Sequence, residues 1–216
     1  LAQLEMAEAC AASDEVRRAA AAGLAWLADL ANRDGGLPTF CRGWGRLPFD
    51  TSCPDITAHA LRAAECWAEI ATGTDSPHRG GTQTWHRMLA PARRYLAHAQ
   101  SADGSWCPLW FGNEHHEAQA NPTYGTARVT LATLDPRGAD WLLACMGADG
   151  GVGGGPGLIA SVEETSLTVE ALARVAAEAP DATLRGRATA AVAAGVEWLL
   201  EHTAAGIRFP ASPIGL

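Results

Sequence analysis

The sequence predicts an all-α protein: an α/α toroid, here an incomplete barrel, made of antiparallel helix hairpins in a single domain spanning residues 1–216. Three observations lead there. An aromatic-Leu pair stands eight residues before an Asp-Gly pair at Trp26-Leu27 and Asp34-Gly35, at Tyr95-Leu96 and Asp103-Gly104, and at Trp141-Leu142 and Asp149-Gly150. The interval from the Asp to a later Thr is 23 residues in two of these units, Asp34 to Thr57 and Asp103 to Thr126. The composition, dominated by Ala with 48% apolar but only 6% aromatic residues, favours closely packed helices over sheet. A fourth unit begins at Trp198-Leu199 and reaches Ala205-Gly206 without the Asp. Self-similarity at irregular periods of about 45 to 70 residues marks a repeat architecture, in which each unit buries its apolar face against a neighbour.

Taken in order, Leu1 to Ala12 reads as the tail of a helix. Ser13 caps the next, with Asp14 and Glu15 in its first turn, where negative charge suits the helix dipole. Val16, Ala20, Leu24, Leu27 and Ala31 form one apolar stripe at spacings of three and four, and Asp34-Gly-Gly36 ends it. Leu37 to Pro54 has no helical period and reads as a long loop, a kind often functional in compact domains. Pro54 and Asp55 open a helix whose stripe is Ile56, Ala60, Ala63, Trp67 and Ile70. After a polar, Gly-rich connection, Gln83 to Gln100 is helical, with Pro91 expected to kink or divide it. Gly104 to Ala120 is irregular. Asn121-Pro122 is an N-cap followed by proline at the first helical position, opening a helix to about Leu134. A short helix covers Arg137 to Met146, a glycine cluster follows, and Ser161-Val-Glu-Glu164 is a capping box opening a helix to about Ala177. Leu184, Ala188, Val192, Val196 and Leu199 stripe the last helix. No strand is predicted.

Bulk properties exclude several functions. A net charge of −8 argues against nucleic acid, whose phosphates need clustered cations. Charge-free runs such as Ala19 to Ala28 are too short to span a bilayer. Six isolated cysteines without a Cys-x-x-Cys pair read as buried thiols in a reducing, cytoplasmic compartment rather than as zinc ligands. With no visible signal peptide and no initial Met, the chain reads as a piece of something longer.

Among the motifs, Gly150 to Gly155 lacks the preceding strand and following Lys-Ser/Thr of a phosphate loop, so it reads as a turn. His115 and His116, adjacent in a loop, point in different directions, so no metal is expected there. The Asp-Gly units have a structural explanation: an Asp to accept turn amides, a Gly at positive φ, and an aromatic roof. Asp55 and His59 differ. Four residues apart at a helix start, they share one face. Either Asp55 caps and His59 packs, or His59 tunes a catalytic carboxyl group.

Together these residues resemble the squalene–hopene cyclase family of class II triterpene cyclases. Gln100-Ser-Ala-Asp-Gly-Ser-Trp106 is similar to its QW motif, and Phe49-Asp-Thr-Ser-Cys-Pro-Asp-Ile-Thr-Ala-His-Ala-Leu61 to its Asp-Val-Thr-Ala-His segment. Tyr124-Gly-Thr126 and Ser161-Val-Glu-Glu-Thr165 fall where that family has matching segments, so the likeness spans the chain. The resemblance implies an α/α barrel with inner and outer helices, monotopic attachment to the cytoplasmic membrane, and a linear, squalene-like C30 isoprenoid substrate. It implies proton-initiated cyclisation with no metal or cofactor. The proton comes from an Asp-x-Asp-Asp motif that these 216 residues lack, so the chain alone is expected to be inactive. By the same resemblance, Asp55 and His59 are the catalytic polar pair that tunes that acid, a protonated imidazole stabilising the carboxylate. Phe40, Trp110, Tyr124 and Phe209 are the substrate-binding aromatics beside passing cations. The rivals are a protein prenyltransferase-like toroid, which needs Asp, Cys and His converging on zinc, and a non-catalytic helical scaffold.

Overall fold

A computed structural model describes residues 14–43, 46–47, 49–72 and 82–215. The helix expected over Leu1 to Ala12 and its neighbouring cap Ser13 lie outside the described residues. Seven helices are described: α1 (Asp14–Leu30), α2 (Pro54–Thr72), α3 (Thr82–Ala99), α4 (Pro122–Thr133), α5 (Pro136–Cys145), α6 (Val162–Glu178) and α7 (Ala182–His202). They form two layers. Helix α2 packs on α4 and α4 on α6, making one row; α1 packs on α3 and α5 on α7 in the other. The helices that begin near Asp55, Asn121 and Ser161 therefore stand in one row.

The caps explain where the helices start. The Asn121 side chain accepts the Tyr124 N–H at 3.0 Å, and Pro122 takes the first helical position. Asp135 accepts from Gly138 at 2.8 Å and Asp181 from Thr183 at 2.8 Å. Helix α4 ends on Leu134 in the left-handed region, φ 56°, with its N–H bonded to the Thr130 carbonyl. Nearly every residue of α4 is buried, as suits the middle member of a row enclosed on several sides. Pro91 neither ends nor divides its helix: α3 runs unbroken past it, because packing of Met88, Ala92 and Leu96 against α1, α2 and α4 outweighs one lost hydrogen bond.

The repeat is visible at atomic detail. Asp34, Asp103 and Asp149 each accept the N–H two residues on, from Gly36, Ser105 and Gly151 at 2.9, 3.0 and 3.1 Å. The glycine after each Asp has positive φ, 93°, 100° and 91°. A Cβ on Gly35 or Gly150 would also lie 2.5 or 2.4 Å from a backbone carbonyl of the next outer helix, at Pro91 or Ala194. The third residue after each Asp then donates its N–H to a buried threonine: Leu37 to Thr57 at 2.8 Å, Trp106 to Thr126 at 2.9 Å and Val152 to Thr165 at 2.9 Å. The third interval, from Asp149 to Thr165, is 16 residues and not 23, so it does not follow the period of the first two. Gly206, φ 85°, repeats the turn geometry without an Asp.

Four two-residue strands were not expected. β1 (Leu37–Pro38) pairs antiparallel with β2 (Ser52–Cys53), and β3 (Gly112–Asn113) with β4 (Ile214–Gly215). They are clasps that satisfy loop amides where two irregular segments meet, too short to carry a sequence period. The first fastens the long loop to the head of α2. The core consists of three apolar clusters, one around Leu24, Leu37 and Ala64, one around Leu61, Leu96 and Trp106, and one around Leu142, Leu172 and Val175.

The threonine bonds give a direct test. Thr126→Val keeps the side-chain volume and leaves the buried Trp106 N–H without an acceptor, so stability falls by about 1–3 kcal/mol. Thr126→Ser recovers most of the loss. Urea unfolding midpoints measure both; an unchanged midpoint for the valine variant contradicts the role assigned to the hydroxyl.

Candidate active site

The candidate site sits at the head of the inner row. Pro54 starts α2, and Asp55 in its first turn is only 3% exposed. The Cys53 thiol donates to Asp55 Oδ1 at 2.7 Å, while Cys53 Sγ accepts the Leu109 N–H at 3.5 Å. Burial and the Asp55 charge push the Cys53 thiol up to about 12, so it stays a donor at neutral pH. The same negative charge is felt by Tyr124 and Tyr95, whose phenols are raised chiefly by burial. Cys53 was read in the sequence as one scattered thiol; only the β1–β2 clasp shows that it faces the carboxylate.

Asp55 and His59 lie one turn apart on α2 as the spacing requires, but no hydrogen bond joins them. His59 is exposed, while Asp55 is buried. Partial desolvation and then the Arg128 guanidinium push His59 below its ordinary value, against a weaker opposing pull from Asp55. Both effects favour the neutral ring. Around it the three inner helices contribute charge. Glu170 of α6 receives Arg128 of α4 at 3.1 Å and Arg62 of α2 at 3.5 Å. These pairs are solvent-accessible, each stabilising by about 0.2–1 kcal/mol, so their main effect is to set the local field.

The aromatics divide into two contacts and one outlier. Phe40 meets Trp110 edge-on at 6.0 Å, and the Trp110 indole N–H donates to the Thr39 hydroxyl at 2.6 Å. Phe111 stacks on Tyr124 at 4.4 Å, with the Arg128 guanidinium 5.5 Å from the Tyr124 ring. The loop after Trp106 thus carries two aromatics that join the first loop to α4. Phe209 is 72% exposed on the C-terminal segment and belongs to neither contact.

Glu164 was read only as half of a capping box. Ser161 Oγ does accept the Glu164 N–H at 3.2 Å, but the reciprocal bond is absent, since the Ser161 N–H goes to the Val152 carbonyl at 3.0 Å. The Glu164 carboxylate, 1% exposed, instead accepts from the Ser161 hydroxyl, Asn113 at 2.9 Å and Asn121 at 2.8 Å. It holds the Asn121 amide with its oxygen aimed at Tyr124, which fixes the start of α4. No sequence signal links Asn113 and Glu164, 51 residues apart.

The His59 environment predicts a pH effect with a definite sign. The unfolded ring titrates near pH 6.5 and the folded one lower, so the unfolded state binds more protons in that range. The neutral ring's contribution is present above about pH 6.5 and is lost as pH falls through it. His59→Gln is therefore expected to lose less stability on acidification from about pH 7 to 5.5. An NMR titration with a His59 midpoint at or above the ordinary histidine value contradicts this environment.

No family model matches the sequence, and no curated protein matches it. Among solved structures, ent-copalyl diphosphate synthase from Streptomyces platensis is similar, with a TM-score of 0.59 and 24% identity over 82% of this chain. The chain spans 30% of the length of that enzyme. At that identity the likeness is one of fold: these helices share the all-α toroidal fold of the matching part of that enzyme.

Proposed function

We propose that this chain is part of a class II terpene cyclase of the squalene–hopene type, acting on a linear, squalene-like C30 isoprenoid. The observation that supports it most is the cyclase-like fold carrying the exposed aromatics Phe40, Trp110 and Phe111, the last stacked on the buried Tyr124, near the buried Asp55 at the head of the inner row. Aromatic quadrupoles stabilise a passing carbocation without capturing it. The proton donor is a carboxylic acid supplied from outside these 216 residues. His59, as a neutral imidazole, donates a ring N–H toward the carboxylate left after proton transfer and lowers the cost of that charge. Asp55 orients the ring through its field, and Cys53 holds the Asp55 carboxylate. Attachment to the cytoplasmic membrane from which the substrate is drawn belongs to the same proposal. No helix among the described residues is long and apolar enough to cross a membrane.

The test uses a full-length protein containing this chain, incubated with squalene and assayed for cyclic product. His59→Phe is expected to fold with an unchanged melting temperature yet lose about 10²-fold or more in turnover. Asp55→Asn behaves similarly, with up to about 1 kcal/mol of its effect on stability arising at the helix start. Retention of turnover in both variants sinks the assignment of the pair. The 216-residue chain alone is expected to give no product, and cyclisation by it at the full-length rate contradicts an external acid.

A further inference from the structure

The long loop closes over a feature separate from the aromatic contacts. An open groove of about 810 Å³ lies between the C-terminal end of α1 and the loop, lined by Asn32, Arg33, Asp34, Arg42, Gly43, Arg46, Thr51 and Ser52. Three of these eight residues carry a guanidinium group and one a carboxylate, in a chain whose net charge is −8. The local sign is opposite to the global one.

Seven arginines outside the groove are engaged. Arg62, Arg93, Arg128, Arg174 and Arg187 pair with carboxylates, and Arg137 and Arg185 bond backbone carbonyls. In the groove, Arg42 reaches only the Asp29 carbonyl, at 3.4 Å, and Arg33 and Arg46 have no ion-pair partner among the described residues. The polar walls are already committed to one another. Asn32 donates to the Asp50 carbonyl and Ser52, Ser52 donates to Asp34, and Thr51 donates to the Leu47 carbonyl. Asp34 Oδ1 also holds the Gly36 amide. Firm walls therefore surround three guanidinium groups that have no carboxylate partner among the described residues.

The repeat supplies the control. The same turn forms at Asp103 and Asp149, with Ala102 and Ala148 where the first unit has Arg33. The segments that follow those turns, 104–120 and 150–161, contain no arginine. The arginines are dispensable for the fold unit, which leaves them available for binding.

We propose that this groove is a binding site for a phosphoryl anion of the diphosphate class. Planar guanidinium forks match phosphate oxygens in bidentate geometry. Three of them, partly offset by Asp34, suit a multiply charged anion better than a single carboxylate. The site does not depend on the cyclase reading.

Isothermal titration calorimetry of the 216-residue chain with inorganic pyrophosphate tests it. Binding is expected, weakened tenfold or more in Arg33→Gln or Arg46→Gln and abolished in the double variant, with melting temperatures unchanged. Arg94→Gln, an equal charge change on the exposed face of α3, is expected to leave affinity unaltered. Phosphatidylcholine vesicles with and without phosphatidic acid identify the source of the phosphoryl group. Arginine-dependent binding to the acidic vesicles alone supports the site and assigns it to a lipid headgroup; binding to free pyrophosphate assigns it to a soluble anion. Absence of binding to either probe, or equal loss in Arg94→Gln, overturns the proposal.

Discussion

A single type of hydrogen bond organises this fold: a threonine hydroxyl on an inner helix that accepts the backbone N–H three residues beyond a turn aspartate. It occurs at Thr57, Thr126 and Thr165, all with 0% exposure. A buried amide has no water to turn to, so the acceptor must come from the neighbouring helix or the segment cannot be buried. That requirement sets the distance between each turn and the inner helix that follows it. On the other side of the turn, the aspartate is held by the next outer helix. The Trp141 indole N–H reaches Asp103 at 3.1 Å, and that of Trp198 reaches Asp149 at 3.2 Å. In the first unit Tyr95 takes the place of the Trp, bonding the Ser52 carbonyl at 2.7 Å while Ser52 bonds Asp34. Each turn therefore joins three helices, and a row of such joints is rigid without a long-range sheet.

Rigidity at the turns frees the segments between them. The first loop is held by its β1–β2 clasp and by bonds from Asn32 and Tyr95, and it carries Phe40, Arg42, Arg46 and Cys53. The second loop is fixed at one end by Trp106, whose indole bonds the Leu96 carbonyl at 2.7 Å, and at the other by the Glu164 cluster. Between those anchors it exposes Leu109, Trp110 and Phe111. Exposed aromatics on anchored loops are the usual way a helical scaffold presents a site.

The two buried carboxylates of the inner row differ in what they do. Glu164 is saturated by three donors and acts as a joint between α4, α6 and the second loop. Asp55 has one thiol partner recorded and faces the head of the row, where its charge reaches Tyr124, Cys107 and Tyr95. Hydrogen bonds thus neutralise one carboxylate locally, while the charge of the other is felt by neighbouring titratable groups.

The sequence by itself determined the helical class, the order of the elements, the caps at Asn121 and Ser161 and the first two Asp-Gly turns. These depend on local chemistry: a cap bonds residues two or three positions away, and a stripe repeats every three or four. It also placed Asp55 and His59 on one face of α2, because helix geometry fixes that relation. Tertiary structure alone decided the rest. Cys53 meets Asp55, Phe111 meets Tyr124, Asn113 meets Glu164, and unlike residues of α2, α4 and α6 share one electrostatic field. The downward shift at His59 is partly of this kind, since beside partial desolvation the Arg128 charge acts on it from another helix. So is the groove, whose arginines look scattered in the chain and converge only when the loop folds back on α1. Such contacts join segments tens of residues apart through geometry that no local period encodes.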